Sequence, residues 1–188
     1  MLQALSHSLL KRLISYVGPA RSNIANALFV LIAEARVLSN NLSAGLFGAM
    51  VETARMYGGG AVAVEDTVTG TLTRKRLLIS ARVLGRRFAA ITEPGEAVGV
   101  LLPNANGAVV TFFGLQSGGR IAAMLNYTSG PANIASAVRT AKIRTIVSSK
   151  AFIEKAELGD LVTAIDGTGA KILWLEEVRE RISTQGKL

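Results

Sequence analysis

An alternation of short apolar runs with helical stretches, from about residue 61 onward, constrains the fold of this chain more than any other feature. The runs rich in Val, Ile, Leu and Ala predict strands at 61–66, 97–103, 120–126, 143–149 and 171–177. The stretches between and around them predict helices over 46–57, 74–88, 104–115, 131–141 and 150–165, and from near Glu176 onward. This rhythm is typical of βαβ units. The sequence therefore predicts an α/β domain with a mostly parallel sheet, flanked by helices on both faces.

Local signals support several of these elements. Thr73 is a favourable N-cap for the helix over 74–88, and Pro131 suits the first turn of the next-but-one helix. Within the helix over 74–88, one face carries Leu77, Ala81, Leu84 and Phe88. The uncharged stretch 97–119 is interrupted by Pro103 and by the Asn and Gly residues that follow it, so it predicts a strand and a helix joined by a turn rather than a membrane span.

The first 43 residues differ from the rest and predict a separate N-terminal helical arm and linker. Helical spacing separates the apolar residues Leu5, Leu9, Leu13 and Val17. A second apolar helix is predicted over 23–37, and the polar run 39–43 predicts a linker. A membrane-surface helix is the alternative interpretation of the arm. The basic residues near the N-terminus follow the first apolar stretch, so no signal peptide is expected.

Charge and composition limit the chemistry. The net charge is +8, and no cysteine is present, which excludes disulfides, zinc thiolates and a cysteine nucleophile. The densest basic group lies in the predicted helix over 74–88: Arg74, Lys75, Arg76, Arg82, Arg86 and Arg87. No aromatic residues interleave with these charges as a base-stacking platform requires, so a solvated helix face is expected and nucleic-acid binding is not.

The sequence contains no pattern that identifies a catalytic, cofactor-binding or metal-binding residue. The sequence contains no GxxxxGK[ST], no GxGxxG that opens a helix after a strand, and no GxSxG. The single histidine, His7, has no neighbouring ligand types, whereas a metal site needs three or four. Thr128, Ser129 and Gly130 resemble the opening of a phosphate loop, but Pro131 follows and no lysine appears before Lys142. These three residues are expected to end a strand and cap the next helix.

Four segments of the chain nevertheless resemble the start of adenylate-forming enzymes, the superfamily of acyl-CoA synthetases, luciferases and peptide-synthetase adenylation domains. They are LFGAMVETARMYGGGAVAVED (46–66), LTRKRLLISARVLGRRFA (72–89), PGEAVGVLLPNANGAVVTFFGLQSGGRIAAMLNYTSG (94–130) and IRTIVSSKAFIEKAELGDLV (143–162). VGVLLPN, FFGLQSGGRIAAMLN and SKAFIEKA resemble the ligase half of the bifunctional acyl-[acyl-carrier-protein] synthetase and 2-acylglycerophosphoethanolamine acyltransferase. The resemblance covers about 44–182, and residues 1–43 resemble the segment that joins the two halves of that enzyme.

The resemblance implies a division at residue 43, with 44–188 forming a truncated N-terminal subdomain of an AMP-forming ligase. In the family, ATP and Mg²⁺ activate a fatty acid, and the acyl group passes to acyl carrier protein or CoA. The glycine-rich Ser/Thr loop, the ribose-binding acid and the catalytic lysine of the family lie beyond the segment that this chain matches. Asn126 matches the Asn of an Asn-Pro segment in the family, with Tyr127 in place of Pro. The chain alone is therefore expected to be inactive, with the C-terminal ligase portion as its missing partner.

Two other interpretations stay open. A stand-alone ligand-binding module would place its ligand at the carboxyl ends of the strands, near Asn104, Asn126 and Ser148 to Lys150. A basic scaffold or nucleic-acid-binding protein is the second interpretation, and it rests on the net charge alone. The resemblance implies a cytoplasmic protein, with peripheral association at the inner membrane as the alternative.

Overall fold

The computed structural model describes residues 45–67 and 69–185. The predicted arm over 1–43 and His7 lie outside these residues. The described elements, in chain order, are α1 (Leu46–Tyr57), β1 (Val62–Asp66), β2 (Gly70–Thr73), α2 (Arg74–Ala89), β3 (Ala97–Val100), α3 (Asn106–Ser117), β4 (Ile121–Met124), a 3-10 turn (Tyr127–Ser129), α4 (Pro131–Thr140), β5 (Thr145–Ser148), α5 (Lys150–Lys155), α6 (Gly159–Asp166), β6 (Lys171–Trp174) and α7 (Leu175–Gln185).

A four-stranded sheet in the order β4-β3-β5-β6 organises the domain, and every neighbouring pair in it runs parallel. Helices cover both of its faces. On one face α2, α3 and α7 share a core with Val98, Val100 and Val147. On the other, α4 and α6 pack around Ile146. The predicted α/β class and its parallel, doubly covered sheet are therefore confirmed.

Helix α2 begins and packs as its sequence predicts. The Thr73 side chain accepts a hydrogen bond from the backbone N–H of Arg76, so Thr73 is the N-cap. The four apolar residues predicted to share one face are all buried: Leu77, Ala81, Leu84 and Phe88. The basic residues fall elsewhere on the helix, and Arg76, Arg82 and Arg86 are exposed. An amphipathic helix of this kind buries its apolar stripe against a neighbour, here α3.

The contact between α2 and α3 is close because small residues lie at it. A Cβ on Gly85 would lie 2.2 Å from Ser117 Oγ and 2.5 Å from the Gly114 carbonyl oxygen. A Cβ on Gly114, on the facing helix, would lie 3.2 Å from the Ala81 carbonyl oxygen. The Ser117 hydroxyl donates to Gly114 O at 2.8 Å, which fixes the side chain that faces Gly85. The two backbones can therefore approach only because both positions lack a side chain.

Three details differ from the sequence prediction. The strand predicted at 61–66 does not join the parallel sheet. It pairs antiparallel with β2, a strand that the sequence analysis missed. The helical region predicted over 150–165 is two helices, because Glu157 adopts a left-handed backbone with φ 53° between them. The parallel strands are shorter than predicted, since the apolar run 97–103 leaves the sheet after Val100.

The uncharged stretch 97–119 forms β3 and α3 on either side of a turn, as predicted. None of the helices in the described ranges is both long enough and apolar enough to cross a membrane.

Candidate functional site

A cavity of about 620 Å³ lies beside the carboxyl ends of β3, β5 and β6, on the face of the sheet covered by α2, α3 and α7. In parallel α/β sheets, this edge is where ligands bind. Apolar residues form most of the wall: Leu72, Ile79, Val83, Leu84, Leu102, Ala108, Val110 and Leu175. Ile79 and Val83 are 54% and 40% exposed, so the cavity opens to solvent along α2.

Asn106, in the wall of this cavity, is held by the hairpin of β1 and β2. Its backbone N–H donates to the Asp66 carboxylate at 3.0 Å, which gives α3 an acidic partner at its N-terminus. Its side-chain amide donates to Thr69 Oγ1 at 2.8 Å and to the Gly70 carbonyl at 2.9 Å. Both amide hydrogens are therefore used. The Asn106 Oδ1 atom is left as an acceptor, and it is buried without a partner among the described residues.

Glu176 closes the cavity at the start of α7. Its Oε1 accepts from the Ser149 hydroxyl at 2.7 Å and from the Ala151 backbone N–H at 3.4 Å. Burial raises the pKa of Glu176, but hydrogen bonds from Ser149 and from backbone N–H groups outweigh it, so the pKa is lowered from its ordinary value. Glu176 is thus a carboxylate at neutral pH. Its second oxygen, Oε2, is buried and has no partner in the ranges that the structure describes.

A third unpaired oxygen belongs to Thr111 in the middle of α3. The residue is fully buried, and its Oγ1 makes no hydrogen bond to any described residue. Thr111 lines the same cavity as Asn106 and Glu176. A buried polar atom without a partner costs about 1–3 kcal/mol. Within the described residues, these three side-chain atoms are the buried ones that lack a partner, and each belongs to a residue that lines the cavity.

The residues expected around a ligand at the carboxyl ends of the strands are only partly brought together. Ser149 lines the cavity, whereas Asn104 lines a separate hollow beside Val109, Phe112 and Met124. Ser148 is buried and donates to the Leu101 carbonyl at 2.8 Å. Asn126 lies at the end of β4, outside the cavity.

Lys150 also points to a structural partner rather than into the cavity. Its ammonium lies 2.7 Å from Glu177 Oε1 and 5.9 Å from the centre of the Trp174 ring. The hydrogen bond to Glu177 raises the pKa of Lys150. Sequence reasoning missed Asn106, Thr111 and Glu176. The position of Glu176 directly after β6 was a usable signal, because it is the same strand-end rule that selected Ser148 to Lys150.

Thr128 and Ser129 belong to the 3-10 turn Tyr127–Ser129, and Gly130 follows it. The segment is not the end of a strand as predicted, since β4 ends at Met124. The Asn126 side chain accepts hydrogen bonds from the Thr128 backbone N–H and hydroxyl, at 3.1 and 2.8 Å. The Ser129 hydroxyl donates to the Asn126 carbonyl at 2.7 Å. The N-cap of α4 is Gly130, the last of the three residues predicted to cap it, and it has φ 86° and no side-chain cap hydrogen bond. Pro131 does begin the helix, as predicted.

Arg120 ties together the loops at the opposite edge of the sheet. It is 7% exposed, and its Nε donates to Thr92 Oγ1 at 3.0 Å. Its terminal nitrogens donate to the carbonyls of Gly118, Ala89 and Thr92. These contacts are structural and lie away from the cavity. In the ranges that the structure describes, no group of three or more His, Cys, Asp or Glu residues could hold a metal ion.

No protein-family model matches the chain. Solved structures do share its fold. VinN in complex with L-aspartate superposes with a TM-score of 0.63 at 18% identity, over 75% of this chain and 34% of VinN. The N-terminal domain of FACL13 from Mycobacterium tuberculosis superposes with a TM-score of 0.63 at 16% identity, over 74% of this chain and 36% of FACL13. The anthranilate CoA ligase AuaEII in complex with anthranoyl-AMP superposes with a TM-score of 0.60 at 20% identity, over 71% of this chain and 25% of AuaEII.

At these identities the likeness establishes the fold, which this chain shares with the matching parts of these three structures. This chain spans about a third of VinN and of the FACL13 domain, and a quarter of AuaEII.

Proposed function

We propose that this chain is the first α/β layer of an ATP-dependent ligase that activates a carboxylic acid, with a fatty acid as substrate and acyl carrier protein or CoA as acceptor. The observation that carries the proposal is the shared fold of a parallel β4-β3-β5-β6 sheet with adenylate-forming ligases, among them a CoA ligase bound to an acyl-adenylate. The choice of a fatty acid and of acyl carrier protein rests on the resemblance of 98–104, 112–126 and 149–156 to one branch of that superfamily.

We further propose that the chain does not adenylate an acid by itself. Forming an acyl-adenylate needs donors that cradle the phosphates and a cation that stabilises the charge developing on them. The Thr128 to Gly130 segment is the nearest match to such a loop in the sequence. Its two hydroxyls bond Asn126, and its backbone is committed to a turn. Mg²⁺ and ATP belong to the complete ligase in this proposal.

The test is fatty-acid-dependent exchange of pyrophosphate into ATP, in the presence of Mg²⁺. The 188-residue chain alone is expected to show no exchange above a blank without enzyme. Exchange is expected when the chain is combined with a polypeptide that carries the family's phosphate loop and lysine, taken from the sequence downstream in the same genome. Exchange by the chain alone would overturn its proposed inactivity. A combined preparation that activates no fatty acid would overturn the proposed substrate.

A further inference from the structure

We infer that the groove between α2 and α7 is a docking site for an acidic amphipathic helix of a partner protein. The inference rests on the exposed face of α2, where apolar and cationic side chains alternate in one stripe, and on the apolar hollow beside it. It makes no use of the proposed ligase chemistry, and neither depends on the other.

A stripe of four exposed side chains runs along the outer face of α2: Arg76, Ile79, Val83 and Arg86. Their spacings of three, four and three residues place each side chain beside the next on the helix surface. Ile79 is 54% exposed and Val83 is 40% exposed. From the rise per residue of an α-helix, the stripe is about 15 Å long. It therefore presents a cation at each end and two apolar side chains between them.

The cavity at the carboxyl ends of the strands opens beside this stripe. Ile79 and Val83 form part of its wall, and Leu175 and Arg179 of α7 form another part. A hollow of this kind between two helices suits a partner helix laid along the groove, with its apolar side chains pointing inward. Such side chains would cover Ile79 and Val83 and enter the hollow, and the burial of apolar surface favours docking.

The charge around the groove specifies an acidic partner. Three more exposed cations flank the stripe: Lys75 and Arg82 on α2 and Arg179 on α7. Arg82 donates a hydrogen bond to the carbonyl of Ser117, which is uncharged. Among the described residues, none of the five cations pairs with a carboxylate. The one acid in the described part of the cavity wall, Glu176, is already bonded to Ser149 through Oε1. Carboxylates of a partner would therefore meet cations that have no competing acid.

Other partners match only part of this face. A nucleic acid would pair with the cations but leave Ile79 and Val83 without an apolar contact, and Phe88, the aromatic residue of α2, is 1% exposed and offers no stacking surface. An anionic bilayer is flat on this scale and would leave the hollow unfilled. A second copy of this chain carries the same net charge of +8 and is repelled. A helix with apolar residues flanked by carboxylates matches both the cations and the apolar side chains.

The first experiment titrates the full 188-residue chain with synthetic helical peptides and follows binding by fluorescence anisotropy. The test peptide is rich in Ala and carries Glu, Leu, Leu and Glu at the spacing of the stripe, with further Glu residues flanking that face. One comparison peptide has Gln in place of every Glu, and another has Ala in place of both Leu. We expect saturable binding of the test peptide and at least about tenfold weaker binding of each comparison peptide, because ion pairs and apolar burial both contribute. Equal binding of the three peptides, or no binding of the test peptide, would overturn the inference.

The second experiment reverses the charge at the two ends of the stripe. Arg76→Glu combined with Arg86→Glu is expected to weaken binding of the test peptide by at least about tenfold. The same double variant is expected to bind more tightly a peptide with Lys in place of every Glu. The matched control is Arg139→Glu with Lys155→Glu, which makes the same change in net charge at two exposed cations on α4 and α5.

The control pair lies outside the cavity wall, so it is expected to change affinity by less than about twofold at physiological salt, where exposed charges more than about 8 Å apart are screened. An equal loss in both pairs would mean that net charge alone attracts the peptide, and it would refute the docking site. The peptide comparisons use the unaltered chain, so they decide the inference even where a variant does not fold.

Vesicles of phosphatidylglycerol test a membrane surface as the alternative partner. Vesicle binding that is lost in the Arg76→Glu and Arg86→Glu variant, without binding of the acidic peptide, would assign this face to lipid and overturn the inference. The proposed ligase function is unaffected by any of these results, since it is measured by pyrophosphate exchange with the complete enzyme.

Discussion

Replacing Gly85 by Ala tests the close contact between α2 and α3. The added Cβ would lie 2.5 Å from the Gly114 carbonyl oxygen, which is backbone and cannot rotate away, and 2.2 Å from Ser117 Oγ. The hydroxyl can turn, but only by giving up its 2.8 Å hydrogen bond to Gly114 O. Ordinary contact begins near 3.4 Å, so the helices must separate by about 1 Å.

The expected cost follows from opposing terms. Overpacking of this kind costs about 1–3 kcal/mol, and the lost hydrogen bond adds about 1 kcal/mol. The higher helix propensity of Ala offsets about 1 kcal/mol of this loss of stability. We therefore expect a net loss of about 1–3 kcal/mol, equivalent to a fall in Tm of about 3–10 °C for a domain of this size.

Chemical and thermal unfolding followed by circular dichroism would measure the effect. Gly107→Ala is the matched control, because Gly107 is also in a helix and a Cβ there meets nothing within 4 Å. It is expected to gain about 0.5–1 kcal/mol from propensity alone. A Gly85→Ala variant as stable as Gly107→Ala would show that α2 and α3 are not packed this closely.

Three further predictions follow from the cavity and from the 128–130 segment. Thr111→Val removes a buried hydroxyl that has no partner among the described residues. It is therefore expected to raise the free energy of unfolding, measured by urea titration, by about 1 kcal/mol. A loss of stability would mean that this hydroxyl is bonded. The lowered pKa of Glu176 stabilises the fold above the unfolded value of 4.5, and this contribution is lost as the pH falls through the folded value. Tm measured across acidic pH should therefore fall less steeply for Glu176→Gln than for the wild-type chain, and parallel curves would contradict the assignment. Ser129→Ala is expected to leave ATP binding by the chain unchanged in equilibrium dialysis, and a large loss of binding would identify the segment as a phosphate site.

The sequence by itself determined the class of fold and most of its elements. Helix α1 spans the predicted 46–57, and α2 begins at the predicted Thr73 cap. These features depend on side-chain periodicity and on the preferences of single residues at helix ends, both of which act over a few neighbouring positions. The resemblance of 44–182 to adenylate-forming enzymes predicted the fold, which is confirmed. The acyl carrier protein branch and the domain division at residue 43 stay predictions.

Only the tertiary structure decided which residues meet in the cavity and which of their atoms stay unpaired. Asn106 became a fixed acceptor because the hairpin of β1 and β2, which periodicity did not reveal, uses both of its amide hydrogens. Glu176 meets Ser149 because parallel pairing aligns the ends of β5 and β6. Thr111 looks like an ordinary helix residue in the sequence. The absence of a partner for its hydroxyl depends on every neighbour packed around it, and this cannot be read from local preferences.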